Sequence, residues 1–200
     1  MKNILYVNAT VRKESRTDEL ARYLLKGLQG EVTELKLEDE NIKPLNEETL
    51  AERIEILNNN NYENEKLKYA RQFANADIIV IAAPFWDLSF PASLKAYIEN
   101  ICAVGVTFKY SETGIPIGLC KATDIHFVTT AGGKFLPNFG YDYIKTLSNE
   151  LFGIKRSELF YAEGLDIVGN DIQKIMNNVK KSIYKKLNLE HDLIWKTKNK

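Results

Sequence analysis

The chain has 200 residues, 44% of them hydrophobic, which suits a single globular domain with a full core. Lys plus Arg and Asp plus Glu each number 27, so the formal net charge is zero and neither a strongly basic nucleic-acid binder nor a strongly acidic docking protein is expected. No apolar run approaches the ~20 residues of a membrane helix, and the first residues enter an apolar strand with no apolar signal region. A cytoplasmic protein with neither nucleic-acid nor membrane partners is expected. Its two cysteines, Cys102 and Cys120, have neither metal-ligand spacing nor a disulfide framework and read as small buried hydrophobes.

In chain order, residues 3–8 form a short apolar strand. Residues 17–29 set Leu20, Tyr23, Leu24 and Leu28 at helical spacing. Residues 31–37 alternate, with Val32, Leu35 and Leu37 apolar among polar neighbours, and 38–46 read as a loop. Its Glu38, Asp39 and Glu40 are read as solvated carboxylates, so no metal is assigned. Residues 50–74 are helical but broken by the run Asn58-Asn59-Asn60-Asn61. Residues 77–83 are a central strand, and Pro91 opens a helix over 92–103, a position where its missing N–H costs nothing. Short alternating pieces over 104–117, around Thr113-Gly114, suggest a hairpin. A strand over 122–130, a helix over 141–151, the core of a fifth strand over 159–162 and a helix over 167–187 follow. Residues 1–188 are taken as one domain and 189–200, with Trp195 and several lysines, as a C-terminal extension.

Five strands alternating with helices predict an α/β fold, a three-layer, doubly wound parallel sheet. Near-continuous apolar strands fit a sheet covered on both faces. The five-strand count favours the flavodoxin-like order 2-1-3-4-5 over a six-stranded dinucleotide fold. His126, between Ile125 and Phe127, points to the opposite face from both and reads as structural; His191 reads as exposed.

In such sheets ligands bind beyond the C-terminal ends of the strands, and three loops there are unusual. The first carries Thr10, Arg12, Ser15, Arg16 and Thr17 before a helix, with no glycine-rich phosphate motif. A helix N-terminus with added hydroxyls and cations suits a phosphate dianion; the plainer alternative is a helix capped by Ser15 or Thr17 with solvated arginines. The second runs Ala83-Pro84-Phe85-Trp86-Asp87-Leu88 after the central strand and places two large aromatics where a flat ligand would lie. The third, Thr130-Ala131-Gly132-Gly133, has adjacent glycines that permit positive φ and close backbone approach, or form an ordinary turn.

The chain resembles the FMN-dependent NADH azoreductases and NAD(P)H:quinone oxidoreductases. The resemblance is carried by Ala82-Ala83-Pro84, Leu94-Lys95-Ala96-Tyr97-Ile98, Gly105-Val106-Thr107-Phe108-Lys109-Tyr110, Thr130-Ala131-Gly132-Gly133 and Ala162-Glu163-Gly164. It implies a flavodoxin-like homodimer with FMN bound non-covalently near the interface. Hydride would pass from NADH or NADPH to the flavin N5, and a quinone or azo acceptor would then take the same stacked position, in a ping-pong sequence with no protein side chain as acid or base. The resemblance places the FMN phosphate at Ser15, Arg16 and Thr17, the isoalloxazine at Phe85, Trp86, Asp87 and Leu88, and Phe108 and Tyr110 on the substrate side. Two positions depart from the family pattern: Asp87 stands for an amide and Ala131 for an arginine. A one-electron carrier and a non-redox binding or hydrolytic protein on the same fold are the alternatives. The neutral charge and the lack of a G-x-S-x-G nucleophile elbow weigh against them.

Overall fold

The computed structural model describes residues 1–135 and 138–198, with 189–198 described through the backbone alone. The order is β1 (Asn3–Asn8), α1 (Arg16–Gly27), β2 (Glu31–Lys36), α2 (Glu47–Asn58), α3 (Lys68–Asn75), β3 (Ile78–Ala82), α4 (Ala92–Ile101), β4 (Phe108–Tyr110), β5 (Pro116–Gly118), β6 (Asp124–Thr130), α5 (Phe139–Leu147), β7 (Arg156–Ala162) and α6 (Ile172–Lys198). Five strands form one parallel sheet in the order β2-β1-β3-β6-β7, the expected flavodoxin-like winding. β4 and β5 pair separately as an antiparallel hairpin.

Alternation along each strand divides the core between two faces. Leu5, Val7, Ile79, Ile81, Ile125 and Phe127 pack beneath α3, α4 and α5. Ile4, Tyr6, Ile78, Val80, Val128 and Phe160 pack beneath α1 and α6. His126 lies on this second face, buried, with its ring 6.0 Å from Phe160, as the alternation required.

Local signals set the helices that frame the site. Ser15 caps α1 by accepting from the Asp18 N–H, and Asp18 and Glu19 in the first turn with Lys26 in the last suit the helix dipole. Its buried Leu20, Ala21, Leu24 and Leu25 form the stripe that seats it on the sheet. Asn46 and Thr49 form a reciprocal capping box that starts α2, and the asparagine run ends it, with Asn60 at φ 52. Yet α2 contributes no buried residue.

Three details differ from expectation. The last helix starts at Ile172 rather than 167 and runs on to Lys198, taking in most of the supposed extension. Its start is delayed because 163–171 is tied into turns: Asn170 donates to the Gly164 carbonyl, Gly164 and Gly169 adopt positive φ, and Asp171 caps the Lys174 N–H. The side chains of His191 and Trp195 lie outside the described residues. The acidic loop is not simply solvated: Glu38 pairs with Lys36, and Glu40 accepts from the Tyr69 hydroxyl. No helix among the described residues is long and apolar enough to cross a membrane.

Candidate functional site

The loops after β1, β3 and β6 converge on one cavity of about 270 Å³, as their positions predicted. The segment after β7 supplies a further wall through Leu165 and Asp166.

From the first loop, Thr10, Arg12, Ser15, Arg16 and Thr17 line the cavity, together with Val11 and Glu14. The Ser15 Oγ accepts the Asp18 N–H at 3.3 Å, so its hydroxyl proton stays free to donate outward. The N–H groups of Arg16 and Thr17, at the head of α1, have no partner within the helix. Ser15 is the cap, as the plainer reading had it, and the capped end still presents the donors on which the phosphate reading rests. The Thr17 and Thr130 hydroxyls lie 2.7 Å apart and join the first loop to the third. The Arg16 guanidinium donates to Asp166 Oδ1 at 2.9 Å and more weakly to the Leu165 carbonyl at 3.4 Å. The Thr10 hydroxyl, expected as a donor to an anion, instead donates to Asn8 Oδ1 at 2.8 Å.

From the second loop, Pro84, Phe85 and Trp86 line the cavity. The Phe85 N–H donates to the Thr130 carbonyl at 3.0 Å, and the Phe85 ring stands edge-on to Phe135, which stands edge-on to Tyr161. Trp86 and Ser89 exchange both backbone hydrogen bonds around Asp87 (φ 49) and Leu88 (φ 66). This is a type I′ hairpin turn, normally the place of Asn-Gly. The turn directs Asp87 and Leu88 to solvent, so neither lines the cavity.

From the third loop, Thr130, Ala131 and Gly132 line the cavity, whereas Gly133 is exposed outside it. Neither glycine uses the positive φ that the sequence permits. The backbone at Gly132 does make a close approach: a Cβ there would stand 2.3 Å from Asp166 Oδ2, so that exposed side chain would have to move aside. Phe108 and Tyr110 do not join this cavity; Phe108 is buried and Tyr110 exposed on the hairpin, with rings 5.5 Å apart.

Sequence reasoning missed Leu165 and Asp166, although Gly164 beside them marked a turn. It also missed Asn8, which shows only as a polar residue closing an apolar strand. The arrangement offers an anion site at a helix N-terminus, aromatic walls for a planar ring and backbone groups at a glycine. The donor set thus fits a phosphorylated flavin. Neither cysteine lines this cavity, and burial pushes Cys102 up to about 11 and Cys120 up to about 12.

The fold and the cavity define a doubly wound α/β protein whose strand ends open on a cavity lined by a helix N-terminus, aromatic side chains and a glycine-bearing loop. The family model for the flavodoxin-like fold matches residues 2–187. An FMN-dependent NADH:quinone oxidoreductase of Clostridium acetobutylicum is 39% identical over 191 residues, covering 89% of this chain and 94% of that protein. A protein of the same name from Coprothermobacter proteolyticus is 36% identical over 194 residues, covering 90% and 96%. This chain belongs to the family of FMN-dependent NADH:quinone oxidoreductases with the flavodoxin-like fold. Among solved structures, an azoreductase from Bacillus anthracis superposes with a TM-score of 0.82 at 24% identity, covering 94% of this chain and 99% of its own. An FMN-dependent NADH-azoreductase of the same species, in complex with FMN, gives 0.79 at 21% identity, covering 94% and 98%. At these identities the structures establish the fold.

Proposed function

We propose that this protein binds FMN non-covalently, takes electrons from NADH or NADPH, and reduces quinones and azo compounds two electrons at a time in a ping-pong sequence. The observation that carries the reading is the convergence of three loops, one suited to a phosphate, one aromatic and one glycine-bearing, on a single cavity. The names of the relatives point the same way for cofactor, donor and quinone. When bound, the flavin supplies the two-electron chemistry. Ser15, Arg16 and Thr17 hold the phosphate with the free hydroxyl proton, the N–H groups at the helix head and the guanidinium charge. Thr10 and Pro84 shape the wall, Phe85 and Trp86 flank the ring, and Thr130, Ala131 and Gly132 present backbone to its edge. Asp87, Leu88 and Gly133 act from just outside, Asp87 through its charge. No side chain need transfer a proton, because the cavity is open to solvent.

A cytoplasmic homodimer is part of the proposal. α2 buries no residue of its own; its Leu50 and Ile54, with Val104 nearby, expose apolar surface. Tyr110, Ile115, Ile117 and Leu119 do the same on the hairpin. Such surface is expected to be covered, and a second copy would bring the exposed Tyr110 to a cavity that its own chain does not let it line, with Phe108 buried behind it.

Steady-state kinetics of the FMN-loaded protein, varying NADH against a quinone, test the reading. Parallel double-reciprocal lines are expected. Intersecting lines would refute the shared-position sequence, and no turnover with either nicotinamide would favour an electron carrier.

A further inference from the structure

Asn8 closes β1 with its side chain buried and does not itself line the cavity. Its Oδ1 accepts the Thr10 N–H at 3.0 Å and the Thr10 hydroxyl at 2.8 Å. Its Nδ2 donates to Asp18 Oδ1 at 3.2 Å and to Glu34 Oε1 at 2.9 Å. The amide cannot be turned the other way. Ionised carboxylates only accept, and the Thr10 N–H only donates.

The sequence positions of these partners matter. Thr10 begins the cavity-lining stretch of the first loop, and Asp18 directly follows Thr17 at its end. One side chain therefore holds both ends of the segment that presents Ser15, Arg16 and Thr17. Its anchors are themselves fixed. Arg22 donates to Asp18 at 2.9 Å and to both oxygens of Glu34 at 2.8 and 3.0 Å, and the Tyr6 hydroxyl donates to Asp18 at 2.5 Å. Position 8 needs a group that donates on one side and accepts on the other. Aspartate would face Asp18 and Glu34 with acceptors only, and serine has a single proton for two carboxylates.

We propose that Asn8 is a positioning residue for the phosphate end of the site: by clamping Thr10 to Asp18 and Glu34 it preorganises residues 10–17 and so sets the preference for a flavin that bears a phosphate over one that lacks it. The proposal rests on the FMN reading above. Preorganised donors bind without a reordering cost, and that advantage disappears for a ligand with no phosphate to receive them.

The test measures dissociation constants for FMN and riboflavin, by flavin fluorescence, with the wild type, Asn8→Ala and Asn8→Asp. Asn8→Ala is expected to weaken FMN by about tenfold and riboflavin by less than about threefold, so that the preference between them falls. A merely structural role would lower stability and leave the ratio of the two constants unchanged. Asn8→Asp adds a chemical rescue. Protonated, its carboxyl regains a donor beside its acceptor and mimics the amide; ionised, it repels Asp18 and Glu34. Tyr6, Asp18, Arg22 and Glu34 face it, and Lys36 is its register partner on β2. Burial and the two facing carboxylates raise a carboxyl at position 8 above its ordinary range, so relative to Asn8→Ala at the same pH, which cancels titration of the flavin phosphate, Asn8→Asp should regain FMN preference at about pH 5 and lose it at about pH 8. If Asn8→Ala does not fold, the same pH comparison of Asn8→Asp, referred to the wild type at each pH, carries the test. A wild type that prefers FMN, with an unchanged ratio in Asn8→Ala or no pH-dependent regain in Asn8→Asp, overturns the proposal alone. A wild type that binds neither flavin overturns the cofactor reading and this proposal with it.

Discussion

Replacing Leu88 separates backbone strain from side-chain packing in the turn that carries Trp86. Leu88 sits at φ 66 and follows Asp87 at φ 49, both in the left-handed region. That region costs a residue with a Cβ about 1–2 kcal/mol, and glycine escapes the cost. Leu88 is 40% exposed, so truncating it to alanine or glycine forfeits only part of what a buried leucine contributes, about 1 kcal/mol in either case. Glycine also loses about 0.5–1 kcal/mol through the freedom it gains in the unfolded chain. Leu88→Ala keeps the strain, whereas Leu88→Gly relieves it. The glycine variant is therefore expected to be the more stable of the two by roughly 0.5–1 kcal/mol, the reverse of the usual order. Urea denaturation without flavin measures this directly, and thermal melts should differ by about 1–4 °C in a chain of this size. An alanine variant as stable as the glycine variant, at equal denaturant slope, would refute the argument that this turn holds a strained residue.

Asp87→Asn removes a charge beside the proposed ring while keeping a good turn residue. It is expected to raise the potential of bound FMN by at most about 30 mV, because Asp87 is exposed and screened; a midpoint that is unchanged or lower in a redox titration contradicts this. His126 is held neutral by burial, with its Nδ1 lacking a partner among the described residues. Its folded pKa lies below the ordinary 6.5, so its contribution is complete above that pH and is lost as pH falls through and below it. The melting temperature should decline on that side, and His126→Leu should flatten the decline. Cys102 and Cys120, raised to about 11 and about 12 by burial, should react slowly with a disulfide reagent near neutral pH and fast after unfolding; rapid reaction of the folded protein would count against their burial.

The winding was legible because Ile78-Ile79-Val80-Ile81 and its companions are apolar on both faces, which only a doubly covered sheet explains. The second and third loops were legible for a related reason: Phe85, Trp86 and the paired glycines are conspicuous just where a strand ends. The close approach at Gly132 was not legible, because it is made to Asp166, which follows another strand 34 residues later. Leu165 and Asp166 escaped notice because their segment looks like the start of a helix until Gly164, Gly169 and Asn170 fold it back. Asn8 and Thr10 were hidden by distance of another kind. Hydroxyls in a loop advertise themselves as ligand donors, and only the fold reveals that the proton of Thr10 is spent on Asn8. Phe108 and Tyr110 carry the family resemblance, yet the hairpin holds them away from their own chain's cavity.

The most direct measurement of the central claim is anaerobic stopped-flow absorbance of the FMN-loaded protein mixed with NADH or NADPH. The account predicts rapid bleaching of the flavin and its return to colour when a quinone is added. Bound FMN that neither nicotinamide bleaches would contradict it.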